Sequence, residues 1–171
     1  MTRVVAGNTV GGPEMLSVED WEVSAPGPGQ VRLRQTAIGL NFIDTYQRSG
    51  LYPLPLPFVA GNEAAGEVTA VGEGVTAVKI GDRVCYQGSP GAYADERLMP
   101  MEKLVPIPDG VDDRTAAAVL LKGLTAYYLL FKTWPVKAGE TILWHAAAGG
   151  TGLIATQWAR ALGATVIGTA G

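Results

Sequence analysis

Residues 141–171 carry the feature that most constrains the fold. An apolar strand, Thr141-Ile142-Leu143-Trp144-His145, runs into Ala146-Ala147-Ala148-Gly149-Gly150-Thr151-Gly152. An amphipathic stretch to Leu162, then Gly163 and a second apolar strand from Thr165 to Thr169 follow. Strand, glycine turn, helix and strand over about 30 residues make the unit that seats a dinucleotide. Gly149 and Gly150 let the backbone approach a pyrophosphate, and Gly152 lets the helix pack closely on the strand. The helix N-terminus adds unpaired N–H groups and the positive end of a dipole. Read as G-x-G-x-x-G the frame falls on Ala147, Gly149 and Gly152, so the first glycine is replaced and a plain buried βαβ unit remains the alternative. Leu153, Ile154, Trp158, Ala161 and Leu162 are expected on one helical face, with Gly163 at the C-terminal cap.

The rest of the chain has a different texture. From the start to about Asp113 it reads as short strands broken by glycine and proline, with Val31 and Leu33 alternating against Arg32 and Arg34 as in a half-buried strand. Turns at Gly72-Glu73-Gly74 and Gly81-Asp82 flank Val75 to Ile80 and lead into Val84 to Tyr86, which predicts a partly closed barrel of irregular strands. The prolines of Leu51-Tyr52-Pro53-Leu54-Pro55-Leu56-Pro57 exclude a central strand and predict a stiff surface segment, a candidate pocket lip. After Asp112 and Asp113, either of which supplies a carboxylate to a helix start, a helix is expected from Thr115 to about Lys132. Gly123 within it marks a junction, and the domains are read as 1–124 and 125–171.

Composition excludes several classes. The chain has 171 residues, 47% of them hydrophobic, enough for one sizeable core. A net charge of -3 without a Lys/Arg cluster offers no footprint for nucleic acid or an anionic membrane. One cysteine, Cys85, precludes an intrachain disulfide and any multi-cysteine zinc site; it is read as a small buried hydrophobe. The apolar stretch from Ala116 to Phe131 is broken by Lys122 and too short to span a bilayer, and a cytoplasmic location is expected.

Gly39-Leu40-Asn41-Phe42-Ile43-Asp44-Thr45-Tyr46, Gly50-Leu51-Tyr52-Pro53, Glu63-Ala64-Ala65-Gly66, Gly81-Asp82-Arg83-Val84, Lys122-Gly123-Leu124-Thr125-Ala126-Tyr127-Tyr128 and His145 to Gly150 resemble one family in order and spacing. It is the zinc-independent NADPH:quinone oxidoreductases, zeta-crystallin-like, of the medium-chain dehydrogenase/reductase superfamily. The resemblance implies a mixed β and α/β fold: a chaperonin-10-like, partly open β-barrel followed by the first βαβ part of a Rossmann domain, with NADPH in the cleft between them. Family members continue well past residue 171, so the chain is expected to match their N-terminal half. The enzyme, a homodimer, is then expected to be the longer parent, with the 171 residues alone inactive.

The same resemblance implies the site. Asn41, Phe42, Ile43, Asp44, Thr45 and Tyr46 lie along the nicotinamide ribose, and Thr125 and Tyr128 lie near the cofactor. Ala148, Gly149, Gly150 and Thr151 contact the pyrophosphate, and Gly171 falls at the adenosine end. Asn41, Tyr46 and Tyr52 are the candidate catalytic residues, the tyrosines being aromatic walls or proton donors for a quinone or enone. An unperturbed phenol, with a pKa near ~10, is a slow acid at neutral pH, which favours the wall. Thr125 bonds either the cofactor or its own helical turn. Zinc-dependent relatives carry Cys where Asn41 stands and His where Asn62 stands, so no metal is expected, and Glu63 is read as a structural carboxylate. Lys122 is read as a solvated or domain-contact charge and His145 as a satisfied strand end. An acidic residue about 20 positions beyond the glycine turn would mark NAD; Ala170 or Gly171 stands there, which favours NADPH. Enone or enoyl-thioester reduction, and a non-catalytic cofactor-binding or interaction module, are the alternatives.

Overall fold

A computed structural model describes all residues, 1–171, and divides them into two compact units, Met1–Ala118 and Val119–Gly171. No helix is long and apolar enough to cross a membrane.

The first unit is built on two antiparallel sheets. β1 (Thr2–Gly7) lies between β2 (Leu16–Trp21) and β4 (Phe58–Val59). The larger sheet has the order β7 (Glu96–Pro100), β3 (Gln30–Gly39), β5 (Glu63–Val71), β6 (Arg83–Gln87), β8 (Val105–Pro106). An isolated bridge between Val4 and Ala94 ties β1 to the approach to β7. Alternation along β3 works as its sequence predicts: Val31 and Leu33 are wholly buried, while Arg34 points out and pairs with Glu67 on β5. Those two residues meet Val68, Val84, Tyr86 and Met99 in the core, where each large apolar side chain contributes roughly 1.5–3 kcal/mol of burial.

Two register irregularities interrupt the β3–β5 ladder, between Arg32 and Leu33 and between Gln35 and Ala37. Such breaks increase local twist and aim the end of a strand. Gly39, at the end of β3, is where the chain enters α1 (Phe42–Ser49). Val75 to Ile80 is not a strand. Its backbone bends through turns instead, with Gly81 N–H returning to the Val68 carbonyl and the Lys79 N–H to the Asp82 carboxylate.

Helix α2 (Asp113–Tyr128) starts in the first unit and ends in the second. Asp112 caps it: its carboxylate accepts the Thr115 N–H at 2.8 Å. Asp113 turns aside to Arg83 and Thr36. The expected helix to Lys132 stops at Tyr128, and the wider π-helical turn Leu129–Thr133 completes it before Trp134-Pro135.

In the second unit β9 (Thr141–Trp144) and β10 (Thr165–Gly168) pair in parallel, connected by α3 (Gly150–Ala161). The buried face of α3 is not the one that periodicity predicts. Gly152, Ala155 and Ala159 are buried, Ile154 and Trp158 flank them, and Leu153 is exposed. Small residues win because the helix lies too close to the β9 turn for leucine: a Cβ on Gly152 would stand 2.7 Å from the Cα of Ala147. Gly163 has φ 88° and ends α3 as a left-handed cap residue, as expected.

Candidate functional site

In the first unit the candidate residues converge where β3 passes into α1. Asn41 is buried and extended, and its side-chain amide donates to Glu63 Oε2 at 2.8 Å. Glu63, at the start of β5, has 0% exposure. Gly39 makes the approach possible: a Cβ there would lie 2.6 Å from that same oxygen and would run into the Ala117 carbonyl. The Asn41 N–H also donates to Asp44 Oδ2 at 3.0 Å, closing the first turn of α1.

Beneath α1 the contacts are polar. Asp44 and Gln47 are its buried residues. Asp44 Oδ1 accepts from Asn62 Nδ2 at 2.7 Å, and Asp44 Oδ2 accepts from the Tyr93 hydroxyl at 2.8 Å. Gln47 and Asn62 exchange two amide hydrogen bonds. Asp44 thus has both carboxylate oxygens engaged within the protein, a role that its sequence position alone does not disclose. Burial and the neighbouring Asp44 carboxylate push the Tyr93 phenol well above its ordinary pKa, so it remains a donor.

The outer face of α1 is aromatic. Phe42 packs edge-on against Tyr46 with centroids 5.2 Å apart, and Tyr46 packs against Tyr52 at 5.3 Å. Phe42 is 73% and Tyr52 50% exposed, an open wall rather than a core. Ile43 is half-buried, and Thr45 donates its hydroxyl to the Phe42 carbonyl within the helix. The proline segment after Tyr52 does line a hollow, of about 460 Å³, through Leu54, Pro55 and Pro57. That hollow is bounded by Trp21, Phe58 and Arg97 and includes none of Asn41, Tyr46 and Tyr52.

In the second unit the glycine turn precedes α3 as predicted. Gly149 is the residue before the helix, with no side chain capping it, and the N–H groups of the first turn have no carbonyl one turn back. A Cβ at Gly149 would lie 3.1 Å from the Ala146 carbonyl oxygen. At Gly150 it would meet the Lys122 stem, 2.9 Å from both Cδ and Cε. These positions form a cradle that side chains would fill, and it fits a pyrophosphate. Ala148 is exposed and Thr151 half-buried beside it. Ala146 has φ 52°, an uncommon left-handed conformation for a residue with a Cβ.

Of the remaining candidates in that unit, Thr125 donates to the Leu121 carbonyl at 2.8 Å, which is its own helical turn. Tyr128 and Gly171 are exposed. His145 meets the Thr169 hydroxyl across the two strand ends at 3.2 Å, in keeping with a satisfied strand end. In the first unit Cys85 is buried near the Val105 carbonyl, and desolvation raises its thiol pKa. No three His, Cys, Asp or Glu side chains gather in a metal-holding group.

Residues 27–109 match the alcohol dehydrogenase GroES-like domain. The chain resembles the N-terminal half of the quinone oxidoreductases. A quinone oxidoreductase of Pseudomonas aeruginosa is 60% identical over 161 residues, covering 93% of this chain and 50% of that protein. A 2-haloacrylate reductase of a Burkholderia species is 54% identical over 167 residues, again 93% of this chain and 50% of that protein. The crystal structure of Escherichia coli quinone oxidoreductase complexed with NADPH superposes with a TM-score of 0.96 at 50% identity, over 100% of this chain and 53% of that one. The chain therefore spans about half the length of the relatives it matches. Its fold is their mixed one, a GroES-like β domain and the opening βαβ of the α/β part.

Proposed function

We propose that the protein is an NADPH-dependent quinone oxidoreductase that works by hydride transfer without zinc. The observation that carries this reading is the Asn41–Glu63 pair. An amide N–H bonded to a buried carboxylate occupies the position where zinc-dependent relatives carry a cysteine ligand, and an amide nitrogen has no lone pair for a metal. Asn62, at the histidine position, is likewise committed to Asp44 and Gln47.

In this reading residues 1–124 form the catalytic domain and 125–171 begin the nucleotide-binding domain. Bound NADPH supplies the hydride; the protein supplies orientation and a dry wall. Asn41 and the Phe42–Tyr46 turn hold the nicotinamide ribose, with Asp44 acting through its buried bonds. Tyr46 and Tyr52 form the aromatic face against which a flat acceptor stacks, its protons coming from water. Thr125 and Tyr128 border the cofactor, Ala148, Gly149, Gly150 and Thr151 hold the pyrophosphate, and Gly171 lies toward the adenosine. The protein is further proposed to be cytoplasmic, to act as a homodimer, and to bind neither nucleic acid nor membrane.

A relative that reduces 2-haloacrylate favours a second acceptor class, activated alkenes. Steady-state NADPH oxidation by the protein from its complete reading frame separates the two. Higher kcat/KM for quinones than for enones, haloacrylates and enoyl thioesters is the expected result, and the reverse order would assign it to alkene reduction. NADPH binding without turnover of any of them would overturn the enzymatic reading.

A further inference from the structure

The helix that carries Phe42 and Tyr46 has no apolar anchor of its own. Its buried residues are Asp44 and Gln47, so its place is set by directed hydrogen bonds rather than by a greasy stripe that tolerates sliding. One oxygen, Asp44 Oδ2, receives both the Asn41 N–H at 3.0 Å and the Tyr93 hydroxyl at 2.8 Å. Tyr93 is 49 residues away in sequence and held independently. Its ring lies against the backbone of Gly61, where φ is 85° and any Cβ would strike the ring. The Tyr93 N–H is bonded to the Ala60 carbonyl, and its own carbonyl accepts the Val5 N–H on β1.

We infer that Tyr93 is a positioning residue for the reaction site: it grips Asp44 Oδ2, and through that oxygen sets the backbone of Asn41 and the tilt of α1 with its aromatic wall. The inference rests on the reading that Asn41 and Tyr46 face cofactor and acceptor. Tyr93 itself touches neither. The raised pKa of its phenol keeps the hydroxyl protonated and donating throughout the working range. Nothing in the sequence around Gly91-Ala92-Tyr93 marks it as functional.

The test uses the complete protein at a temperature where wild type and variants are all fully folded by circular dichroism. Tyr93→Phe, which keeps the ring on Gly61 and deletes only the hydroxyl, is expected to lower kcat about five- to tenfold, the factor appropriate to one hydrogen bond. The dissociation constant for NADPH, measured by fluorescence, is expected to change less than about twofold, because the pyrophosphate cradle is untouched. In an Asp44→Asn background the same substitution is expected to add little, since the two residues act as one unit. A folded Tyr93→Phe protein with wild-type kcat, or fully additive effects with Asp44→Asn, would overturn the inference. Asn41→Ala at wild-type rate would instead overturn the site reading beneath it, and Tyr93 would then have nothing to position.

Discussion

The Asn41 side-chain amide and the Glu63 carboxylate, 22 residues apart, meet at 2.8 Å with Glu63 wholly out of solvent. A hydrogen bond of this kind satisfies a buried carboxyl oxygen with an amide N–H, a donor that has no lone pair for a metal. The protein is accordingly expected to purify without stoichiometric zinc, and chelators should leave its melting temperature and turnover unchanged. Elemental analysis showing about one firmly held zinc per chain would refute this.

A second expectation concerns acid. Asp113 accepts from the Thr36 hydroxyl at 2.5 Å and from Arg83 Nε at 2.8 Å, and these contacts, Thr36 foremost, hold its carboxyl below the ordinary 3.8. A carboxylate whose folded pKa is depressed adds stability that is fully present above the unfolded value and is lost as pH falls through the folded one. Asp113→Asn should therefore be destabilising by about 1 kcal/mol near neutrality, a modest figure because the pair is partly solvated. The gap between wild type and variant should hold above the ordinary carboxylate value of 3.8 and close as the pH falls on through the lowered folded one. A urea midpoint difference that stays constant from pH 7 to pH 2.5 would show that the charge is not the cause.

These relationships differ in how openly the sequence displays them. Alternation at Val31, Arg32, Leu33 and Arg34 announces β3, and the run from Ala146 to Gly152 announces the turn before α3, because both rest on local periods and local backbone needs. α1 is hidden. Its inward residues are Asp44 and Gln47 and its apolar side chains Phe42 and Tyr46 lie on the outer face, so hydrophobicity points the wrong way, and its partners Asn62 and Tyr93 come from distant parts of the chain. The inward face of α3 was obscured for the opposite reason: Gly152, Ala155 and Ala159 are buried for lack of bulk, while hydrophobicity alone points to Leu153.

Ala146 holds a left-handed conformation at φ 52° where the chain leaves β9 for the glycine turn. A Cβ in that region costs about 1 to 2 kcal/mol, part of which glycine gives back through its greater freedom in the unfolded chain. Ala146→Gly is expected to raise stability by up to about 1 kcal/mol with cofactor affinity unaltered. Thermal and urea unfolding of the complete protein would measure it. A destabilised variant would mean that the Ala146 methyl contributes packing greater than its strain.

The glycines of the turn should differ sharply in what they tolerate. A methyl at Gly150 meets the Lys122 Cδ and Cε atoms at 2.9 Å, the flexible stem of a long side chain that can swing aside. At Gly152 the obstacles are backbone: the Ala146 carbonyl and the Ala147 Cα, which would be 2.7 Å from it. Backbone there belongs to the turn itself, held by the Gly149 N–H on Ala146 and the Ala147 N–H on Thr169. Gly152→Ala must push α3 off β9 or distort that turn, at a cost of roughly 1–3 kcal/mol. The same shift moves the first-turn N–H groups proposed to hold the pyrophosphate, and a displacement of about 1 Å is enough to weaken such a site markedly. We expect Gly152→Ala to lose stability and at least about tenfold in NADPH affinity, the equivalent of one well-made charged contact. Gly150→Ala should stay within about threefold, and only a branched residue such as valine, reaching past Lys122 into the cradle, should approach the loss seen at Gly152. Calorimetric titration of NADPH into both alanine variants decides the matter, and wild-type affinity in both would remove the glycine turn from the cofactor site.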